Sequence, residues 1–193
     1  LVDLNEVGLQ SAVQDIGSEA ASYVLADTTQ PEQVQNYIDT AVERYGGIDI
    51  LLANAGIEGE LHPIPDYPVE VFDRVLAVNV RGVWLGLKYT IPVMGYRGGG
   101  SIIITSSTAG IRGSSAMSAY NTSKHAVIGL MRTAALECAP LGIRVNCVNP
   151  SSTETRMMRS IEEMGVSAWH NSRMTADQVK QNNAARIPLQ RYG

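Results

Sequence analysis

Short apolar runs alternate with segments of helical period along the whole chain, and this alternation limits the possible folds more than any other feature. Leu1-Val2 reads as the end of an apolar strand. From 4 to 16, Leu4, Val7, Leu9, Val13 and Ile16 recur at helical spacing. Tyr23-Val24-Leu25 is a short strand. Thr28-Thr29-Gln30-Pro31 starts a helix, because Thr caps and Pro suits the first turn, and Gly46-Gly47 stops it after Tyr45. Residues 48–53 form a buried strand, followed by a loop with Pro63, Pro65 and Pro68. A long helix is expected from Val69 to near Met94, kinked at Pro92. Residues 101–105 are a strand, 118–141 a helix and 143–148 the last clear strand. Weaker helical stretches lie near 156–164 and 175–184. No period of repeats interrupts the pattern. Regular βα alternation with near-continuous apolar strands predicts an α/β fold, a doubly wound parallel sheet with helices on both faces.

In such sheets ligands sit beyond the carboxyl ends of the strands. The residues found there are Asp3, Asp27, Asn54-Ala55-Gly56, Ser106-Ser107 and Asn149-Pro150, all polar or turn-forming. Composition narrows the ligand. With 15 Lys plus Arg against 19 Asp plus Glu and no basic run, the chain lacks the footprint of a nucleic-acid binder. No apolar stretch reaches the ~18 residues that cross a bilayer. Cys138 and Cys147 make neither a disulfide framework nor a zinc site, and no metal ligand set is read.

Tyr120 and Lys124 are four apart and share one helix face. An ammonium beside a phenol favours the phenolate, lowering a group that ordinarily titrates near ~10 toward the range where general acid–base catalysis works. The spacing alone also occurs where a surface Lys merely lies beside a half-buried Tyr. Its neighbours add weight. Ser107 ends a strand, Asn79 lies in the preceding long helix, and Asn54-Ala55-Gly56 ends another strand.

The stretches ILLANAG (50–56), NVRG (79–82), GSIIITSSTAG (100–110), YNTSKHAVIGL (120–130) and GIRVNCVNP (142–150) resemble, in order and spacing, those of the short-chain dehydrogenases/reductases. The resemblance covers essentially the whole chain. It implies a Rossmann-like fold and a nicotinamide-dependent, cytoplasmic oxidoreductase. Tyr120 would be the catalytic acid/base. Lys124 would hold the nicotinamide ribose and lower the tyrosine pKa. Ser107 would orient the substrate oxygen, and Asn79 would anchor a water that relays protons to Lys124. Ser106 points away from Ser107 by strand alternation.

For the cofactor, Asp3 would accept hydrogen bonds from the adenosine ribose 2′-OH and repel a 2′-phosphate, which implies NAD. The competing reading makes Asp3 a cap of the following helix. Asp27, with the backbone of Thr28, would meet the adenine; otherwise it is a turn residue. Asn54, Ala55 and Gly56 would form the floor under the cofactor. Pro150, Thr153 and Thr155 would meet the nicotinamide carboxamide. The family usually has Gly after the Pro where this chain has Ser151.

Other features carry less. Gly98-Gly99-Gly100 precedes a strand and lacks phosphate-loop spacing, so it reads as a turn. His62, His125 and His170 have no ligand-like spacing, although His170 falls in the expected substrate loop. Met157, Met158, Met164 and Trp169 would either wall an apolar pocket or pack the lid. Residues 151–186 would close over substrate, opposite the 56–59 and 108–117 loops. NAGIEG and the closing RYG look similar to members acting on cyclic ketones and secondary alcohols. A 3-oxoacyl-thioester reductase and, from another class, a non-catalytic regulatory protein on the same fold are the alternatives. The helices after Pro68 and Ser118 form dimer interfaces in the family's tetramers, so a homo-oligomer is implied. The family's first strand, glycine-rich loop and last strand have no counterpart in these 193 residues. They are therefore expected to be one domain cut at both ends, unable alone to complete the sheet or bind NAD well.

Overall fold

The computed structural model describes residues 1–168 and 175–193, and Trp169 and His170 lie outside them. The order is β1 (Val2–Asp3), α1 (Glu6–Ile16), β2 (Val24–Leu25), α2 (Pro31–Tyr45), β3 (Ile50–Ala53), α3 (Val69–Leu76), α4 (Val83–Tyr96), β4 (Gly100–Thr105), α5 (Ser118–Cys138), β5 (Ile143–Val148), α6 (Arg156–Ala168) and α7 (Ala176–Ala185). The fold is α/β with parallel strands, as the alternation predicts. Two compact units divide the chain. The first comprises Leu1–Ala55, Arg81–Ile104 and Met131–Asn146. The second comprises Gly56–Val80, Thr105–Leu130 and Cys147–Gly193.

In the first unit, local chemistry sets the helix ends. Asn5, not Asp3, caps α1 by accepting from the Gly8 N–H at 3.0 Å. Pro31 opens α2, and Gly46 closes it in the left-handed region at φ 78°, its N–H bonding Val42 O. A residue with a Cβ would resist that conformation. Val34 and Ile38 form the buried face of α2, which packs on α4.

The strands form two sheets, β1-β2 and β3-β4-β5, rather than one. Along β3 and β4 the register runs from Ile50↔Ser101 to Ala53↔Ile104. Ile102 and Ile104 are fully buried, and each such side chain stabilises the fold by about 1.5–3 kcal/mol relative to exposure. Both-face burial does not extend to the neighbours. Ile50 and Leu52 of β3 are 65% and 58% exposed. Along β5, Ile143 and Val145 are buried while Arg144 and Asn146 face solvent. The apolar runs are therefore more uniform than the burial they receive, because β3 has a sheet partner only in β4 among the described strands.

The long helix predicted from Val69 is built in three parts. Between α3 and α4, residues Ala77–Gly82 widen into a π-helical turn. Such turns mark functional positions in many helices, and this one contains Asn79. Pro92 lies inside α4 without ending it. The 3₁₀ turn Ala139–Leu141 follows α5.

Candidate active site

Asn79, Ser107, Tyr120 and Lys124 all belong to the second unit. Ser107 follows β4 in an extended conformation, and its Oγ accepts from the Ala109 N–H at 3.1 Å, starting the 3₁₀ turn Thr108–Gly110. That turn is pulled close to α5. Ser106 is buried and donates to Lys124 O at 2.9 Å, so it points away from Ser107 as strand alternation requires. A Cβ on Gly110 would stand 2.5 Å from Ser106 Oγ and 2.7 Å from Lys124 O. Gly110→Ala is therefore expected to destabilise the protein by roughly 1–3 kcal/mol, the usual range for overpacking, as measured by urea unfolding. An unchanged midpoint would show that the turn can shift freely.

Ala119 is fully buried beside Tyr120 and anchors the first turn of α5. One turn on, Lys124 is only 5% exposed. Its Nζ donates to Thr105 O at 2.9 Å and lies 5.5 Å from the centre of the Tyr120 ring. Burial lowers the Lys124 pKa from its ordinary 10.5 to about 8. The Tyr120 phenol moves the other way. Burial raises it above its ordinary value, the Ser107 hydroxyl beside it lowers it, and the Glu58 carboxylate raises it again. The expectation that Lys124 lowers the tyrosine pKa is thus not met by the chain itself. Desolvation of the phenolate outweighs the help Ser107 provides, and Lys124 is not among the groups that shift it.

Asn79 is fully buried and its carboxamide is engaged on both sides. Oδ1 accepts from Ile57 N–H at 2.8 Å, and Nδ2 donates to Ile57 O at 2.9 Å and to Ser123 Oγ at 3.0 Å. Ser123 in turn donates to Tyr120 O at 2.8 Å. A Cβ built on Gly56 would lie 3.3 Å from Asn79 Oδ1 and 3.5 Å from Lys124 Nζ, so both polar atoms face one point beside this glycine. Sequence reasoning missed Ser123 and treated Glu58 only as loop. The clue for Ser123 was a small hydroxyl inside the Tyr120–Lys124 turn; its partner Asn79 is 44 residues away.

The remaining second-unit candidates follow β5 in the sequence. Thr108 N–H donates to Pro150 O at 3.0 Å. Thr153 donates to Ser151 O, and Thr155 caps α6 by accepting from Met158 N–H. Ser151 is not among the residues with positive φ, so a serine there carries no backbone strain. In the first unit, Asp3 Oδ1 accepts from Asn5 N–H at 2.9 Å. Its other oxygen has no partner among the described residues, and Asn5 already does the capping. Asp27 Oδ1 accepts from both the N–H and the hydroxyl of Thr29 at 2.8 Å, the work of a turn residue. Thr28 packs against Gly82, while Asn54 and Ala55 are exposed just beyond β3.

Within 151–186, α6 and α7 pack together. Arg159 pairs with Asp177 at 2.8 Å, and Lys180 pairs with Glu154. A cavity of about 400 Å³ here is lined mainly by charged groups, including Arg156, Arg159, Glu162 and Lys180. Of the methionines expected to form apolar walls, only Met158 reaches it. His62 bonds Glu60, and His125 bonds the Asn121 carbonyl. Cys138 is buried and Cys147 half-buried.

Among the described residues the buried Lys124 ammonium has one backbone acceptor and no carboxylate partner, which leaves two N–H groups for neutral hydroxyl acceptors. That donor set fits the ribose of a nicotinamide cofactor. Residues 1–165 match the family described as short chain dehydrogenase. Over 198 aligned residues the chain is 36% identical to levodione reductase of Leifsonia aquatica, covering 100% of this chain and 72% of that protein. It is 42% identical over 146 residues to a 3-alpha-(or 20-beta)-hydroxysteroid dehydrogenase of Mycobacterium tuberculosis, covering 76% of this chain and 56% of that one. A solved structure of NAD+-bound xylitol dehydrogenase superposes with a TM-score of 0.92 at 35% identity, covering 100% of this chain and 76% of that one. With the βα alternation, the Tyr120–Lys124 turn and these matches in agreement, the chain belongs to the short-chain dehydrogenase family of oxidoreductases.

Proposed function

We propose that the protein is an NAD-dependent oxidoreductase that interconverts a secondary alcohol and a ketone, with Tyr120 as acid/base and a cyclic or apolar alcohol as substrate. One observation carries this reading. Tyr120 has the Ser107 hydroxyl beside its phenol and the buried Lys124 ammonium over its ring. In oxidation the Ser107 hydroxyl donates to the substrate oxygen, and the Tyr120 phenolate takes the hydroxyl proton. Bound nicotinamide supplies the hydride acceptor. Lys124 uses its remaining N–H groups to hold the ribose, and its charge stays on at neutral pH because its pKa is about 8. Asn79 Oδ1 and Lys124 Nζ face the same point by Gly56, where a water linking them would carry the proton outward.

Asp3 gives the cofactor preference. Its open oxygen accepts the ribose 2′-OH, and its charge repels a 2′-phosphate. Asp27 and the backbone of Thr28 meet the adenine. Asn54, Ala55 and Gly56 form the floor, and Pro150, Thr153 and Thr155 meet the carboxamide. The cyclic-substrate reading is supported by a relative from Acinetobacter named cyclohexanol dehydrogenase, 34% identical over 181 residues. Assembly as a homo-oligomer, through the helices after Pro68 and Ser118, belongs to the same proposal. It is supported by Trp84 on α4, which is 47% exposed, and Leu136 on α5, which is 79% exposed. Among the described residues no helix is long and apolar enough to cross a membrane.

The test is turnover by the full-length protein with NAD and a panel of cyclic and acyclic secondary alcohols, followed by the absorbance of NADH. Cyclic alcohols with NAD are expected to react fastest. With NADP the rate should fall at least about tenfold, as expected when one like-charge contact costs more than ~1.4 kcal/mol, and Asp3→Asn should narrow the gap. Preference for NADP would overturn the Asp3 assignment. Reduction of acetoacetyl-CoA faster than any cyclic ketone would move the substrate to the thioesters.

A further inference from the structure

Ser123 lies inside the Tyr120–Lys124 turn, is fully buried, and belongs to no step described so far. Its single proton is committed to Tyr120 O at 2.8 Å. The Oγ lone pairs therefore face Asn79, and Oγ accepts from Asn79 Nδ2 at 3.0 Å. A serine hydroxyl has one proton to give and two lone pairs to offer, so the direction of both bonds is fixed. Asn79 Nδ2 spends its other proton on Ile57 O, and Oδ1 accepts Ile57 N–H. Rotating the carboxamide by half a turn would set Nδ2 against the Ile57 N–H and place an oxygen against the Ile57 carbonyl. The network assigns the orientation shown.

That orientation matters at Gly56. The atom that Asn79 turns toward this glycine is Oδ1, 3.3 Å from the same point that Lys124 Nζ approaches to 3.5 Å, so an acceptor and a cation face one spot. The opposite orientation would put a second donor there. We infer that Ser123 is a positioning residue: by accepting from Asn79 and donating to the Tyr120 carbonyl, it locks the carboxamide with its oxygen toward Lys124 and ties that lock to the turn that carries the acid/base. The bonds run unbroken from Ile57 through Asn79 and Ser123 to the Tyr120 backbone, all in the second unit. This rests on the proposed reading of Tyr120 and Lys124 as the proton-transfer pair.

Two readouts test it on the full-length protein. The first needs no substrate. In Ser123→Ala, one Asn79 carboxamide proton loses its acceptor, and hydrogen exchange of that group, followed by NMR, is expected to quicken at least tenfold. The second uses cyclohexanol and NAD. For Ser123→Ala, kcat is expected to fall five- to twentyfold with KM within twofold. The double variant Asn79→Ala/Ser123→Ala is expected to match Asn79→Ala alone within twofold, because Ser123 acts through Asn79. Val127→Ala, a buried position one turn further along α5, reports a simple loss of packing and should keep kcat within twofold. If Ser123→Ala does not accumulate as folded protein, Ser123→Cys carries the test, with at least a threefold loss of kcat expected. Unchanged carboxamide exchange, parent-like kcat in the serine variants, or additive losses in the double variant would overturn the inference. Tyr120→Phe measured alongside separates the two readings. If it keeps turnover, the proton-transfer reading fails and this inference with it. If it is inactive while Ser123→Ala is parent-like, only the role of Ser123 is lost.

Discussion

Tyr120→Phe is expected to lower kcat by roughly 10²–10⁴-fold, the contribution of a positioned general acid–base group, while KM for alcohol changes little. The substitution removes one oxygen and keeps the ring. Ala119 still anchors the turn, and the Lys124 ammonium still lies over an aromatic face 5.5 Å away. In the proposed mechanism the group lost is the one that takes the alcohol proton. The Ser107 hydroxyl cannot replace it, because an ordinary aliphatic hydroxyl is far too weak an acid to serve as a base at neutral pH. Fold stability at neutral pH should be nearly unchanged, since burial raises the phenol further above its ordinary value and keeps it uncharged there in folded and unfolded chain alike. The measurements are steady-state turnover of cyclohexanol with NAD and a urea unfolding curve. A variant that is both stable and nearly as active as the parent would remove Tyr120 from the chemistry. The pH profile adds a second check. With burial raising the phenol and Ser107 lowering it, a parent profile that rises toward alkaline pH in oxidation is expected, and Tyr120→Phe should flatten that rise.

The sequence revealed some of this site and concealed the rest, for physical reasons. Helical geometry puts residues four apart on one face, so Tyr120 and Lys124 could be paired without coordinates. Strand ends are where ligands meet parallel sheets, so Ser107 and Asp3 stood out by position. Asn79 was legible only through resemblance, because a lone Asn in a long apolar helix carries no periodic signal. The widened turn at Ala77–Gly82 that holds it depends on bonding absent from any local pattern. Ser123 escaped notice because its partner is distant in the chain. The rise of the Tyr120 phenol in the chain itself was hidden for a different reason. Charge proximity can be read from spacing, but desolvation depends on how much of the fold closes over the phenol, and here it dominates. Burial also explains the error in β3. Ile50 and Leu52 carry the apolar pattern of a covered strand, yet exposure is decided by which neighbours are bonded to it.

Lys124→Met is expected to abolish turnover and, in the same molecule, to change how stability depends on pH. The parent lysine has a folded-state pKa of about 8 against an ordinary 10.5, with burial as the cause. Below about pH 8 both states carry the proton, and the folded state bears the full desolvation cost. The gap corresponds to roughly 3 kcal/mol at about 1.4 kcal/mol per pH unit. Between about 8 and 10.5 the folded chain releases the proton while the unfolded chain keeps it, so parent stability rises with pH. Above 10.5 both are neutral and the penalty is gone. Methionine has no such term. It does leave Thr105 O without the Lys124 donor, a loss of about 1–3 kcal/mol for a buried acceptor. At pH 7 the two effects nearly offset, and Lys124→Met should be as stable as the parent or up to ~2 kcal/mol more stable. At pH 10.5 the parent should be the more stable by about the value of the lost hydrogen bond. Differences between the two proteins cancel the titration of every other group, so paired urea curves at the two pH values isolate Lys124. In the proposed mechanism this cost across the neutral range is offset in function by what the charge does there, which is to hold the ribose. A stability difference that stays constant between pH 7 and pH 10.5 would mean that the ammonium is solvated in the folded protein, and the desolvated cation on which the proposed site depends would not exist.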